Sequence, residues 1–217
     1  MSAPRHSAVS IRNEFSQGAA LYLIVDTETN DLPRNWRAPV TDLANWPRVV
    51  QVAWLEFDVT GTETARSVHL IRPDDFAISE GARAVHGITT ARAKRDGVPL
   101  AGVLDALLQA ITRARVVIAH NIEFDATILS AEYLRAGQRD PLLTVARRCT
   151  MKESADYCNI PGQYGPKWPK LEELYHHLFN ERSREAHDAL ADAESCARCF
   201  FELQARGVKP FAPPLKR

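Results

Sequence analysis

This sequence carries no surplus of charge: Lys and Arg total 27, Asp and Glu total 27, and the formal net charge is +0. That balance excludes a strongly basic nucleic-acid binder of the histone or homeodomain kind. It leaves room for a protein that gathers acid at one place and base around it, because the two cancel in the sum. Cysteine is scarce, with four in 217 residues, at Cys149, Cys158, Cys196 and Cys199. The segment from Met1 to Gly18 is mixed polar, with charges at Arg5, Arg12 and Glu14, and does not resemble a secretory leader. A cytoplasmic protein with free thiols is therefore expected. Cys196-Ala197-Arg198-Cys199 has zinc-ligand spacing, but it falls in a continuous helical pattern and no second close pair exists. Buried helical thiols are the expectation there. Long apolar runs are missing too. The longest, Ala19 to Val25, falls far short of the roughly 20 residues that cross a bilayer, so no membrane partner is expected.

What is present suffices for one core. A chain of 217 residues with 45% hydrophobic content buries roughly 70% of its unfolded surface and needs no disulfide or structural metal. No internal repeat or low-complexity tract divides it. The expected organisation is a flexible segment over 1–18, one globular domain over 19–206, and a Pro-rich tail over 207–217 that holds Pro210, Pro213 and Pro214.

Leu21 to Val25 is a continuous apolar run of strand formers and predicts a strand buried on both faces, central in a sheet. Thr29 to Trp46, with Pro33, Pro39, Asn30, Asn35 and Asn45, predicts a long loop. Val49 to Phe57 and Ser67 to Ile71 predict two strands joined through Thr60-Gly61 as an antiparallel hairpin. A short helix should open at Ser79-Glu80 and stop at Gly87, and Pro99 to Arg113 carries apolar residues at helical spacing. Val116 to Ala119 predicts another buried strand, followed by a helix over about Glu123 to Ala136. Later come helices near Met151 to Tyr157, over Lys170 to Phe179 and over Asp188 to Ala205, with a Pro/Gly loop over Pro161 to Pro169. Strands that first meander and then alternate with helices predict an α/β class with a mixed sheet.

Three acidic segments stand out. Asp26 and Glu28 lie two apart at the end of the first strand, so both can project from one face. Side by side without a cation they repel; a hard divalent metal removes that cost and takes oxygen ligands. Asp125 follows the strand ending at Ala119 by a few residues, at the start of a helix, where an open α/β sheet places its sites. His187 and Asp192 lie five apart, about 140° around a regular helix, so they cannot share a helical face. Asp188 is a good N-cap, which leaves His187 in the loop before the helix and Asp192 one turn inside. Taken singly, each segment also fits a plain role: a solvated turn, a carboxylate at a helix dipole, a surface histidine.

In order and in local detail the segments resemble a known family. Val25-Asp26-Thr27-Glu28-Thr29, His120-Asn121-x-x-Phe124-Asp125 and His187-x-Ala189-x-x-Asp192 closely resemble the three motifs of the DnaQ-like, or DEDDh, 3′ to 5′ exonucleases. Val85-His86-Gly87-Ile88-Thr89, between the first two, resembles a segment frequent in that family, and the likeness runs from about Leu21 to Leu203. The resemblance implies a ribonuclease H-like fold, with a five-stranded mixed sheet flanked by helices in a single domain. It implies hydrolysis at the 3′ end of DNA or RNA, single strands favoured, with release of nucleoside 5′-monophosphates by a two-metal mechanism. By analogy Asp26, Glu28, Asp125 and Asp192 hold two Mg²⁺ or Mn²⁺ ions and His187 is the general base. Thr29, His86 and Phe124 would contact the terminal nucleotide.

The chain departs from many relatives in having Asn30-Asp31, not Gly, just after the first motif, where it enters a loop over 30–46 that could serve as a substrate-binding insertion. Lys167-Trp168-Pro169-Lys170 could present cations and a stacking surface, although Pro169 opening a helix with Trp168 packed against it is the plainer expectation. Two alternatives remain. His187-Asp188 could belong to an all-helical HD-type metal phosphohydrolase, which ignores Asp26 and Glu28. A non-catalytic or proofreading module associated with a polymerase, or with another replication or repair partner, would keep the fold; all five motif positions are nonetheless filled.

Overall fold

The computed structural model describes residues 22–183 and 187–209. The expected 1–18 segment and Pro210 to Arg217 of the expected tail lie outside the described residues. At the sheet's centre is β1 (Tyr22–Thr29), whose apolar half needs cover on both faces. It pairs antiparallel with β2 (Val49–Phe57) and parallel with β4 (Val116–Ala119). The edge strands are β3 (Glu63–Leu70), antiparallel to β2, and β5 (Ala146–Cys149), parallel to β4. The order β3-β2-β1-β4-β5 makes the mixed five-stranded sheet that the motifs implied, and its existence removes the all-helical HD-type reading.

Alternation along β1 sends its side chains to two cores. Leu23 and Val25 join Val52, Trp54 and Val117 beneath α3 (Leu100–Arg113) and α4 (Ile122–Arg135). Ile24 joins Ala53, Leu55 and Ile118 beneath α7 (Leu171–Phe179) and α8 (Ala189–Ala205). At roughly 25 cal/mol per Å² of apolar area, burial on both faces anchors this strand and makes it a fixed base for a site at its end.

The remaining α-helices among the described residues are α1 (Glu80–His86), α2 (Thr90–Asp96), α5 (Thr150–Glu153) and α6 (Ala155–Cys158). Ser79 caps α1 by accepting from the Ala82 N–H, and Gly87 closes it at φ 72, a backbone position that glycine takes without a Cβ penalty. The expected helix near Met151 to Tyr157 is two short helices, α5 and α6, and the Pro/Gly loop holds a small hairpin, β6 (Pro161–Gly162) with β7 (Gly165–Pro166). All four cysteines are free and buried, as the helical pattern of Cys196 and Cys199 requires. Among the described residues no helix is long and apolar enough to cross a membrane.

Candidate active site

The site forms where three elements end together. β1 carries Asp26 and Glu28 on one face at its C-terminal half and buries Thr27 and Thr29 on the other. Asp125 arrives from the first turn of α4 and is only 3% exposed. That helix can start so soon after β4 because Asn121 takes φ 83, the left-handed region that Asn tolerates better than most residues. Asp192 lies in the first turn of α8, on the opposite layer from α4. The two helical layers thus converge on the end of one strand.

Hydrogen bonds fix the carboxylates. Thr27 Oγ1 donates to Asp125 Oδ1 at 2.8 Å, a link between the first and second motifs. The His187 N–H donates to Asp192 Oδ2 at 2.9 Å, with His187 in the loop before α8 at φ 69. A left-handed histidine is strained, and such strain gathers at functional sites. Ligand atoms of Glu28, His187 and Asp192 all lie within 4.8 Å of one another. Asp188 serves α8 itself: its Oδ1 accepts from the N–H groups of Leu190 and Ala191, and its Oδ2 accepts from Gln51 Nε2. Asp188 is thus the N-cap of this helix, and Asp192, one turn inside, lies beside Glu28 and His187.

The electrostatics are those of crowded acid. Burial, then the charges of Asp125, Asp192, Glu28 and Asp188, push the Asp26 carboxyl well above the usual carboxylate range. Burial, reinforced by Asp192, Asp125 and Asp188, pushes Glu28 up to about 8. Burial pushes Asp125 up to about 7 against the opposing hydrogen bond from Thr27. Asp192 is also raised by burial, with His187 pulling the other way. Among the described residues the largest charges acting on Asp26 and Glu28 are all negative, and the carboxylates offer an oxygen donor set with an imidazole at its rim. Hard divalent cations fit that set.

Two cavities flank the cluster. One, of about 300 Å³, is lined by Thr27, Glu28, Thr29, Leu32, His86 and Phe124. His86 Nδ1 accepts from the Ile88 N–H at 3.0 Å, so Nε2 carries the proton and donates to the Thr29 carbonyl at 3.2 Å. Burial lowers the His86 pKa and keeps the ring neutral. The residues expected at a terminal nucleotide, Thr29, His86 and Phe124, therefore share one wall. The second cavity, of about 370 Å³, is lined by His120, Trp168, Lys170, His187 and Asp192 among others. A larger cavity of about 780 Å³, lined by Asp105, Arg115 and Gln138 among others, touches none of the five motif residues and carries none of this chemistry.

Two aromatics near the site differ from expectation or extend it. The helix after the Pro/Gly loop starts at Leu171, not at Pro169, and Trp168 is 57% exposed where packing was expected. Pro169 is spent as an anchor, its carbonyl accepting from His120. In the 30–46 loop, Trp46 is buried and donates to the Pro39 carbonyl, while Trp36 stays exposed 5.8 Å from the Phe124 ring. The loop is thus a packed structure that brings Asp31 and Leu32 to the cavity wall and one indole against Phe124. The Lys-Trp-Pro-Lys run is the sequence signal that pointed to Trp168.

Comparison with known proteins agrees with this arrangement. The family model RNase_T, described as exonuclease, matches residues 23–200. No match was found among curated proteins. Among solved structures, E. coli Exonuclease I in complex with a dA16 oligonucleotide has 21% identity and a TM-score of 0.69, covering 88% of this chain and 42% of its own. The zinc ion bound form of the E. coli ExoI-ssDNA complex has 21% identity and a TM-score of 0.68, covering 85% of this chain and 40% of its own. Exonuclease I in its apo form has 19% identity and a TM-score of 0.65, covering 88% and 43%. The chain thus spans about 40% of the length of these structures, and at such identities the likeness establishes the fold.

Proposed function

Because this chain belongs to the RNase_T exonuclease family, we propose that it removes nucleoside 5′-monophosphates one at a time from the 3′ end of single-stranded nucleic acid, DNA foremost. The observation that carries this reading is the convergence of Asp26, Glu28, Asp125 and Asp192 from two layers onto one strand end, with His187 beside Glu28 and Asp192. The oligonucleotide and single-stranded DNA named for the structures of like fold supply the substrate class.

The four carboxylates would hold two divalent cations, Mg²⁺ or Mn²⁺, which supply positive charge to the attacking and leaving oxygens when bound. His187 takes the proton of the attacking water. It is exposed to solvent, and a ring nitrogen lies within 4.8 Å of the ligand atoms of Glu28 and Asp192. Its backbone tie to Asp192 holds the ring at the edge of the cluster. Thr29, His86 and Phe124 seat the terminal nucleotide; neutral His86, bonded to the Thr29 carbonyl, forms a firm wall that does not compete for the phosphate. Thr27 keeps Asp125 turned toward the site.

The test is incubation with Mg²⁺ or Mn²⁺ and 5′-labelled single- and double-stranded DNA and RNA of one sequence. The expected result is a ladder that shortens from the 3′ end, most rapidly on single-stranded DNA. An intact label on every substrate would overturn the proposal and favour a binding module.

A further inference from the structure

The second cavity, which shares His187 and Asp192 with the Glu28–His187–Asp192 cluster and is lined by neither His86 nor Phe124, has Trp168 in its wall. The indole joins none of the three apolar clusters among the described residues, and it stays 57% exposed. A large aromatic left in water beside a reactive cluster invites a ligand. Its position is nevertheless firm. Next to it Pro169 is held through its carbonyl by His120 Nε2 at 3.0 Å, and His120 is held in turn by Thr150 Oγ1 at 2.9 Å. The Lys170 N–H donates to Glu173 Oε2 at 2.8 Å, and Lys167 pairs with the same carboxylate. Lys152 Nζ lies 5.0 Å from the centre of the Trp168 ring and 2.9 Å from Glu123 Oε1, so the platform is tied to the residue that precedes Phe124. Lys170 at the same rim is largely exposed, its Nζ 3.8 Å from Glu172 Oε1, a loose surface pair that a phosphate can displace.

We propose that Trp168 is the stacking platform of an upstream subsite, which receives the penultimate base of a single-stranded 3′ end while the terminal nucleotide fills the His86–Phe124 cavity. This rests on the exonuclease reading of the carboxylate cluster. Glu28 lines one cavity, His187 and Asp192 line the other, and their ligand atoms lie within 4.8 Å of one another, so a strand whose terminal phosphodiester is at the carboxylates can have its last base in one and the preceding base at the other. A single strand suits the platform because its bases are free to stack on an aromatic ring, and such stacking tolerates any sequence. Lys170 provides the positive charge that a backbone phosphate needs beside an acidic centre, while Lys152, paired with Glu123, keeps the ring in place.

The test is a double-change cycle with dT12 and a dT12 whose penultimate nucleotide is an abasic tetrahydrofuran, on the wild type, Trp168→Ala and Trp168→Phe. In the wild type the abasic change should raise KM for the first cleavage roughly ten-fold, the scale of one lost base stack. Trp168→Ala should raise KM for intact dT12 by a similar factor and show no further loss on the abasic strand, and Trp168→Phe should recover most of the affinity. Equal losses for both strands in Trp168→Ala, or none, would overturn the subsite. The same cycle run by fluorescence anisotropy in Ca²⁺ reads binding without turnover. An inactive wild type would then sink the exonuclease reading, and the subsite would still stand or fall on whether the two changes share one loss of affinity.

Discussion

Thr27 Oγ1 and Asp125 Oδ1, 98 residues apart in the chain, meet at 2.8 Å in the floor of the site. Thr27 faces the opposite side of β1 from Asp26 and Glu28, so it reaches Asp125 from the α4 face of the sheet. The residue between the two acids of the first motif thereby orients the acid of the second.

Thr27→Val, which keeps the shape and removes the donor, should weaken Mn²⁺ binding and lower activity by roughly ten- to a hundred-fold, the usual scale for losing a hydrogen bond behind a metal ligand. Thr27→Ser should restore most of both. Mn²⁺ titration followed by calorimetry, beside nucleotide release at saturating Mn²⁺, separates this orienting role from loss of folding. Unchanged Mn²⁺ affinity in Thr27→Val would remove Thr27 from the site.

The crowded carboxyls set a pH dependence. In the folded chain without metal, Glu28 is pushed up to about 8 and Asp125 to about 7, whereas unfolded carboxyls titrate near pH 4. The folded state therefore holds protons that the unfolded state has released. Their contribution to stability is full below about pH 4 and is lost progressively as pH rises through about 7 to 8. In EDTA the melting temperature should fall across that window, and Mn²⁺ should recover it by an amount that grows with pH as ligand protons are displaced. Melts with and without Mn²⁺ that run parallel from pH 5 to 8 would contradict the cluster's role as a cation site.

Glu132 is 1% exposed and holds together the start of β2 and the end of the 30–46 loop: its Oε1 accepts from the Val49 N–H at 3.0 Å and from Arg48 Nε at 2.9 Å, and Arg135 lies 3.1 Å away. Glu132→Ala strands two guanidinium groups and a buried amide, and should cost about 2 to 4 kcal/mol in urea denaturation. Because Arg135 also donates to the carbonyls of Leu43 and Trp46, the loop carrying Trp36 should loosen first, seen as faster amide exchange over 30–46 than in the sheet.

That network shows where the sequence stops being legible. The strand over Val49 to Phe57, the cap at Asp188 and the position of His187 ahead of α8 follow from patterns a few residues long, and each is found in place. The helix α2 carries no apolar stripe to announce it, since Ala93 is its one buried residue. The start of β3 at Glu63 was hidden by the edge strand's exposed, charged side chains, with Arg66 reaching Glu63 and Glu194. The edge strand β5, with Arg147 and Arg148 in its four residues, was equally unmarked. Trp168 could be flagged but not placed, because its exposure depends on His120 and Glu173 holding the residues that follow it. Pairings such as Arg48 with Glu132, 84 residues apart, leave no local periodicity at all.

The neighbouring aspartates of α8 give the sharpest test of the whole assignment. Asp192 faces Glu28 and His187, so Asp192→Asn removes negative charge where cations are to be held and should nearly abolish nucleotide release. Asp188 makes three hydrogen bonds that build the helix start, two from N–H groups of α8 and one from Gln51 Nε2. Asn at 188 can still cap, but its amide nitrogen would face Gln51, whose own oxygen is engaged by the Ala189 N–H and so cannot turn to receive it. Asp188→Asn should therefore cost about 1 kcal/mol in stability, the net worth of one such bond, while turnover stays within a few-fold of wild type. Both variants are to be compared by urea denaturation and by release from 5′-labelled single-stranded DNA in Mn²⁺. An active Asp192→Asn beside an inactive but folded Asp188→Asn would overturn the identification of the cation site.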